Sequence, residues 1–266
     1  MRTRNQALVL AVLLCTIGSL TDPRLLSAPL EQEDLWAEAR AAGMQDVTFA
    51  SGSLKLHGAV YKPSGAGPFP AVLYNHGSGP NANRDMPDLG KLFTARGYVL
   101  FIPHRRGHGR SASQGALITT TLEEERKTRG VESWSRLLVK AHETEQLDDQ
   151  VAAFTWLKQQ PFVDTRRLAI AGCSFGGIQT VLAAERSLGA RAGIDFAGAA
   201  MTWADSPHMQ ARLKAAVRNA TIPLYFLQAE NDYDTSPSRE LAAEAQRAKK
   251  PHLMKIFPPF GKTNAS

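Results

Sequence analysis

The chain has 266 residues, 43% of them hydrophobic, which is enough to bury the core of a single α/β domain without a second one. Its formal net charge of +6 comes from lysines and arginines scattered along the chain, two of them (Arg2 and Arg4) at the extreme N-terminus. A nucleic-acid partner needs a stripe or cluster of positive charge, and the scatter argues against one.

The opening stretch, MRTRNQALVLAVLLCTIGSL, sets two arginines before an apolar run from Ala7 to Ile17, the layout of a secretory signal over residues 1–22. The run is short for a membrane span. Export to a secreted or periplasmic location is expected, with no stable membrane insertion once the leader is cleaved and membrane anchoring if it is retained. Leu14 precedes Cys15, which argues against lipidation. The second cysteine is Cys173, so cleavage would leave one thiol. Residues 23–45 read as a linker with a short helix, and 46–266 as the folded domain.

DVTFASGSLKLHGAVYKP alternates apolar and polar residues around a Ser-Gly turn, a β-hairpin with His57 in its second strand. From PFPAVLYNHGSGP onward, apolar strands, Gly-rich turns and helices repeat through GYVLFIPHRRGHG, RRLAIAGCSFGG, ARAGIDFAGAA, IPLYFLQAEND and HLMKIFPP. The expected fold is α/β, a mostly parallel central sheet with helices on both faces. In HETEQLDDQVAAFTWLKQQP, Leu147, Val151, Phe154 and Leu157 recur at helical spacing. The insertion over 118–141 carries i,i+4 pairs, Glu123 with Lys127 and Glu125 with Arg129. It reads either as a solvated helix or as a lid over a ligand crevice.

Gly172-Cys173-Ser174-Phe175-Gly176 is a G-x-S-x-G pentapeptide lying between an apolar strand and a helix, the context that makes Ser174 a candidate nucleophile on a sharp turn. Cys173 precedes the apex and should point into the packing. NHGSG at 75–79 follows another strand, so the backbone N–H groups of Ser78 and Phe175 are the expected oxyanion donors, with His76 bracing the loop. The turn after PLYFLQA offers Asp232 as the acid, with Asp234 as the alternative. His104 and His108 sit four apart on a turn, and with no nearby cysteine or carboxylate they read as structural rather than as metal ligands.

These motifs, GPFPAVLYNHGSG, RRGHGRS, VDTRRLAIAGCSFGG and the END turn, resemble the α/β-hydrolases of the dienelactone hydrolase-like group, close to the catalytic domains of prolyl oligopeptidases, from about Val47 to the end. Dienelactone hydrolase proper carries cysteine at the apex. With Ser174 there, the resemblance implies a serine hydrolase acting on small carboxylic esters, or a serine peptidase, with no cofactor. It also implies a histidine on a loop after the last strand. Past HLMKIFPP come only Phe260, Gly261, Lys262, Thr263, Asn264, Ala265 and Ser266. Two expectations follow: impaired turnover, with a non-catalytic binding protein as the alternative, and an exposed apolar edge at LMKIFPPF that favours aggregation. Of the seven histidines, His208 is the one that comes from the active-site edge and would have to substitute.

Overall fold

A computed structural model describes residues 37–82 and 86–261. The expectations for the leader, for Cys15, for most of the linker and for the last five residues lie outside the described residues. Residues 37–41 form the short helix expected at the end of the linker.

Strands β1 (Gln45–Ser51) and β2 (Leu54–Tyr61) form the hairpin, turning at Gly52, whose φ of 57° suits a residue without Cβ. β3 (Phe69–Asn75), α1 (Met86–Thr94) and β4 (Val99–Pro103) follow, then a 3-10 turn at Gly109–Gln114. The insertion is α2 (Ile118–Glu143), leading directly into α3 (Glu145–Lys158). The remainder alternates: β5 (Val163–Cys173), α4 (Phe175–Ala183), β6 (Gly193–Phe196), α5 (Pro207–Asn219), β7 (Leu224–Ala229), α6 (Ser236–Arg247) and β8 (His252–Phe257). The sheet order is β1-β2-β4-β3-β5-β6-β7-β8. β2 is antiparallel to β1 and to β4, and every pairing from β4 to β8 is parallel.

Parallel strands covered on both faces must be apolar on both, and the alternation of successive side chains shows how this is met. Ala71 and Leu73 of β3, with Val99 and Phe101 of β4, enter the core beneath α3 (Phe154, Leu157), α4 (Ile178, Val181) and α5 (Leu213). Val72, Tyr74, Leu100 and Ile102 enter a second core with Leu89 of α1. Among the described residues β8 is the outer strand, and Leu253 and Met254 on it are exposed.

α2 is not one rod. Gly130 sits inside it at φ 82°, ψ 178°, a break that divides the insertion into two helical halves. Of the two charge pairs expected along its surface, Glu125–Arg129 forms at 3.6 Å. Both halves close over the end of the sheet where β5 delivers Ser174, so the insertion is a lid rather than merely a solvated helix.

Candidate active site

Ser174 stands between the last residue of β5 and the first of α4 at φ 54°, ψ −116°. A non-glycine residue held at positive φ carries a cost of about 1–3 kcal/mol that the surrounding structure must offset. Here the Ser174 N–H donates to the Phe196 carbonyl at 3.0 Å, and the Ser174 carbonyl accepts from Ile178 N–H at 3.1 Å, fixing the turn from both sides. The turn is also wedged against β3: a Cβ on Gly176 would fall well inside contact with the Asn75 carbonyl oxygen. Cys173 is buried at 6% exposure in the α1-side core, as its place before the apex implied.

The NHGSG turn comes up beside the serine. A Cβ on Gly77 would lie 3.8 Å from the Ser174 Cβ, and Ser78, Ser174 and Phe175 line one cavity. Beneath the turn lies Arg105, which sequence reasoning did not single out. It is 2% exposed, and its guanidinium donates to the His76 carbonyl and to the Gly77 carbonyl, both at 2.8 Å. Its own backbone N–H donates to His76 Nε2 at 3.3 Å, so His76 braces the loop as expected. The neighbouring Arg106 turns away and forms a side-chain pair with the buried Asp149, at 3.0 Å and 2.7 Å.

Asp232 and Asp234 separate by their partners. The Asp234 carboxylate accepts from Ser236 N–H at 2.7 Å at the start of α6. The Asp232 carboxylate accepts from Gln228 Nε2 at 3.0 Å and from Tyr233 N–H at 2.8 Å. Gln228, fully buried, also donates to the Asp234 carbonyl at 2.8 Å and accepts from Ser238 Oγ at 2.7 Å, so it sets the shape of the whole turn. The side chain of Asn231 donates to the Phe260 carbonyl at 3.0 Å and accepts from Phe260 N–H at 2.9 Å, which ties the segment after β8 to the residue preceding Asp232.

All seven histidines fall among the described residues, and none lines the cavity that holds Ser174. His208, the one that chain order brings to this edge, does not reach the cavity. It leaves the active-site edge as expected, but its position at the start of α5 turns it to Glu132, 2.8 Å away, in a separate surface depression with Arg136 and Glu143. His57 faces Asp46 at 3.5 Å, and His252 bonds the Lys250 carbonyl at 2.9 Å.

The other four histidines are buried. Burial, then the Arg105 cation, holds His76 well below the usual imidazole range; burial, then Arg110, does so for His104. Burial pushes His108 down to about 3 and His142 down to about 4. A base whose folded pKa is depressed leaves its protons to the unfolded chain, so stability is full above the unfolded value of 6.5 and is lost as pH falls below it. At pH 5 His108 and His142 each cost on the order of 2 kcal/mol, and His76 and His104 act in the same direction. Asp195, raised to about 7 by burial behind α4, acts oppositely, with stability lost as pH rises through that value. Four sites outweigh one. Urea midpoints measured at pH 7.5 and pH 5 should therefore drop sharply in acid, and a flat profile would show that these imidazoles are not held neutral.

A serine on a strained strand-to-helix turn, with a backbone turn from the neighbouring strand at its side and a carboxylate two strands along the same sheet edge, defines an α/β-hydrolase. The dienelactone hydrolase family model matches residues 56–262, most of the chain, and the chain belongs to that family. Solved structures agree on the fold. A Klebsiella pneumoniae protein proposed to be a dienelactone hydrolase is 17% identical with a TM-score of 0.62, over 81% of this chain and 85% of that one. The Pyrococcus horikoshii acylaminoacyl peptidase is 19% identical with a TM-score of 0.61, over 82% of this chain and 37% of that one. The Porphyromonas gingivalis dipeptidyl peptidase 4 is 20% identical with a TM-score of 0.59, over 80% and 31%. The chain thus spans about a third of the length of the peptidases it matches.

Proposed function

We propose that this hydrolase acts on carboxylic esters through an acyl-enzyme at Ser174. The observation that carries the reading is the placement of Ser174, at positive φ, in one cavity with Ser78 and Phe175. Ser174 Oγ bonds to the ester carbonyl carbon, the carbonyl electrons move to oxygen facing the Ser78 and Phe175 N–H groups, and the alcohol leaves with the serine proton. Water then returns the acid and the free serine. Asp232 is the acid that orients the base, chosen by its place in the turn after β7, where Gln228 Nε2 and Tyr233 N–H hold its carboxylate; the Asp234 carboxylate accepts from Ser236 N–H at the start of α6. The base is an imidazole, and the seven histidines present are placed elsewhere: His57 faces Asp46, His208 faces Glu132, His252 bonds the Lys250 carbonyl, and His76, His104, His108 and His142 are buried.

A polypeptide of these 266 residues is therefore proposed to turn over slowly, roughly 10⁴ to 10⁶ below a site with its triad complete. Hydrolysis of a short-chain nitrophenyl ester and covalent labelling by an alkyl phosphonate are the tests, with Ser174→Ala alongside. Both signals should disappear in the variant, and equal rates in the two proteins would remove Ser174 from the chemistry. The same histidine census favours one other reading, a non-catalytic protein that keeps the cleft for binding, whose signature is saturable ligand binding with no labelling. The apolar leader carries the companion proposal of export, to be read from the mass of the chain recovered outside the cytoplasm.

A further inference from the structure

The cavity beside Ser174 has a volume of about 270 Å³ and walls that are largely apolar. Leu122, Trp134, Leu138, Phe175 and Ile178 form them, each less than 10% exposed, and Met201, 59% exposed, stands at the mouth. Both halves of the lid contribute: Leu122 comes from before the Gly130 break, Trp134 and Leu138 from after it. The cavity includes the expected oxyanion donors Ser78 and Phe175 but not Asp232. The departing alcohol must collect its proton on the acid and base side, so the space on the oxyanion side belongs to the acyl half of an ester.

Charge narrows the class further. The one cation among the lining residues is Arg126, and it is already engaged, with its guanidinium 2.6 Å from Asp205 and 4.8 Å from the centre of the Trp134 ring. Glu123 adds a negative charge to the same rim. Among the described residues, an acyl group bearing its own carboxylate would meet no free positive partner there and would lose its hydration. At the ~30 Å³ that a water-sized group occupies in a liquid, the volume holds about nine non-hydrogen atoms.

We propose that this cavity is the acyl-binding site and that it takes a neutral, apolar acyl group of one-ring size, such as phenylacetyl or octanoyl. Acyl groups that carry a carboxylate, and two-ring groups, are excluded. The proposal rests on the reading of Ser174 as nucleophile, but its test does not need turnover. The full-length polypeptide is titrated with acetamide, phenylacetamide, succinamate and naphthylacetamide, following tryptophan fluorescence. Phenylacetamide should bind about tenfold more tightly than the other three, and Ser174→Ala should leave that preference in place. Met201→Trp, at a position exposed enough to accept the ring without refolding, narrows the mouth and should weaken phenylacetamide by about fivefold while leaving acetamide unchanged. Equal affinities for the four amides, tightest binding of succinamate, or indifference to Met201→Trp would each overturn the assignment. A preference for phenylacetamide in a protein with no Ser174-dependent turnover keeps the acyl cavity and removes the nucleophile. Ser174-dependent turnover without that preference keeps the nucleophile and removes the cavity.

Discussion

Arg105→Met lowers the rate of Ser174 phosphonylation and of ester hydrolysis by ~10² to 10³, while the KM for the ester stays near its original value. The expectation follows from the planarity of the peptide unit. In a trans peptide the carbonyl and the following N–H point in opposite directions. Arg105 grips the carbonyl of Gly77 from beneath the turn, which drives the N–H of Ser78 the other way, toward the cavity that holds Ser174. The second bond, to the His76 carbonyl, prevents the turn from pivoting about the first. Removing the guanidinium leaves the His76 carbonyl without that donor and the Gly77 carbonyl held by His76 Nδ1 alone, at 2.8 Å, so the donor aimed at the oxyanion loses part of its fixed direction. Stability changes less than rate, because burial has already pulled Arg105 down to about 9, and losing a desolvated cation offsets part of the lost bonding. Arg105→Lys keeps the charge but offers a point ammonium in place of a planar fork, so it should recover only a minor part of the rate. A parallel fall in urea midpoint and rate, with KM rising, would mean that Arg105 only holds the fold together. Unchanged rates would mean that Ser78 is not an oxyanion donor.

Gly176→Ala should cost more than about 4 kcal/mol or prevent recovery of folded protein altogether. The added methyl would collide with the carbonyl oxygens of Asn75 and His76, backbone atoms with no rotamer to escape into. The collision is locked from both sides. Asn75 Nδ2 donates to Thr180 Oγ1 at 3.3 Å, and Thr180 Oγ1 donates to the Gly176 carbonyl at 2.9 Å, so neither β3 nor α4 can withdraw alone. Gly79→Ala is the control. It lies four residues beyond Asn75 on the same turn, meets nothing within 4 Å, and should stay within about 0.5 kcal/mol of the parent. Similar urea midpoints for the two variants would show that the close approach of β3 to the serine turn is not a constraint.

How much of this was legible in the sequence depends on the range of the interaction. The strands were readable because each is an apolar run bounded by turn residues, and Ser174 because its glycines and its flanking strand and helix are contiguous in the chain. Arg105 was not readable. In RRGHGRS it looks like one more charge on a basic turn, and its burial exists only because the His76 and Gly77 carbonyls arrive from a loop 29 and 28 residues earlier. Gln228 is a similar case, a polar residue closing an apolar strand whose partners are defined only once the turn after it has folded. The charge pairs of the lid suggested a continuous helix, and the signal against it was Gly130, whose positive φ interrupts the helix between Arg129 and Val131. For His208, chain order gave the right edge of the sheet, but the orientation of α5 decided which way the ring faces.

The clamp between Asn231 and Phe260 has a practical consequence for anyone preparing the protein. Phe260 is held beside the acid turn, and the six residues from Gly261 to Ser266 can extend at most about 20 Å from it. A polyhistidine purification tag fused after Ser266 would put a string of imidazoles within that tether of Asp232, and at high effective concentration. A rate measured on such a preparation belongs to the protein only where the untagged polypeptide reproduces it. A handle at this end must be cut away before the first assay.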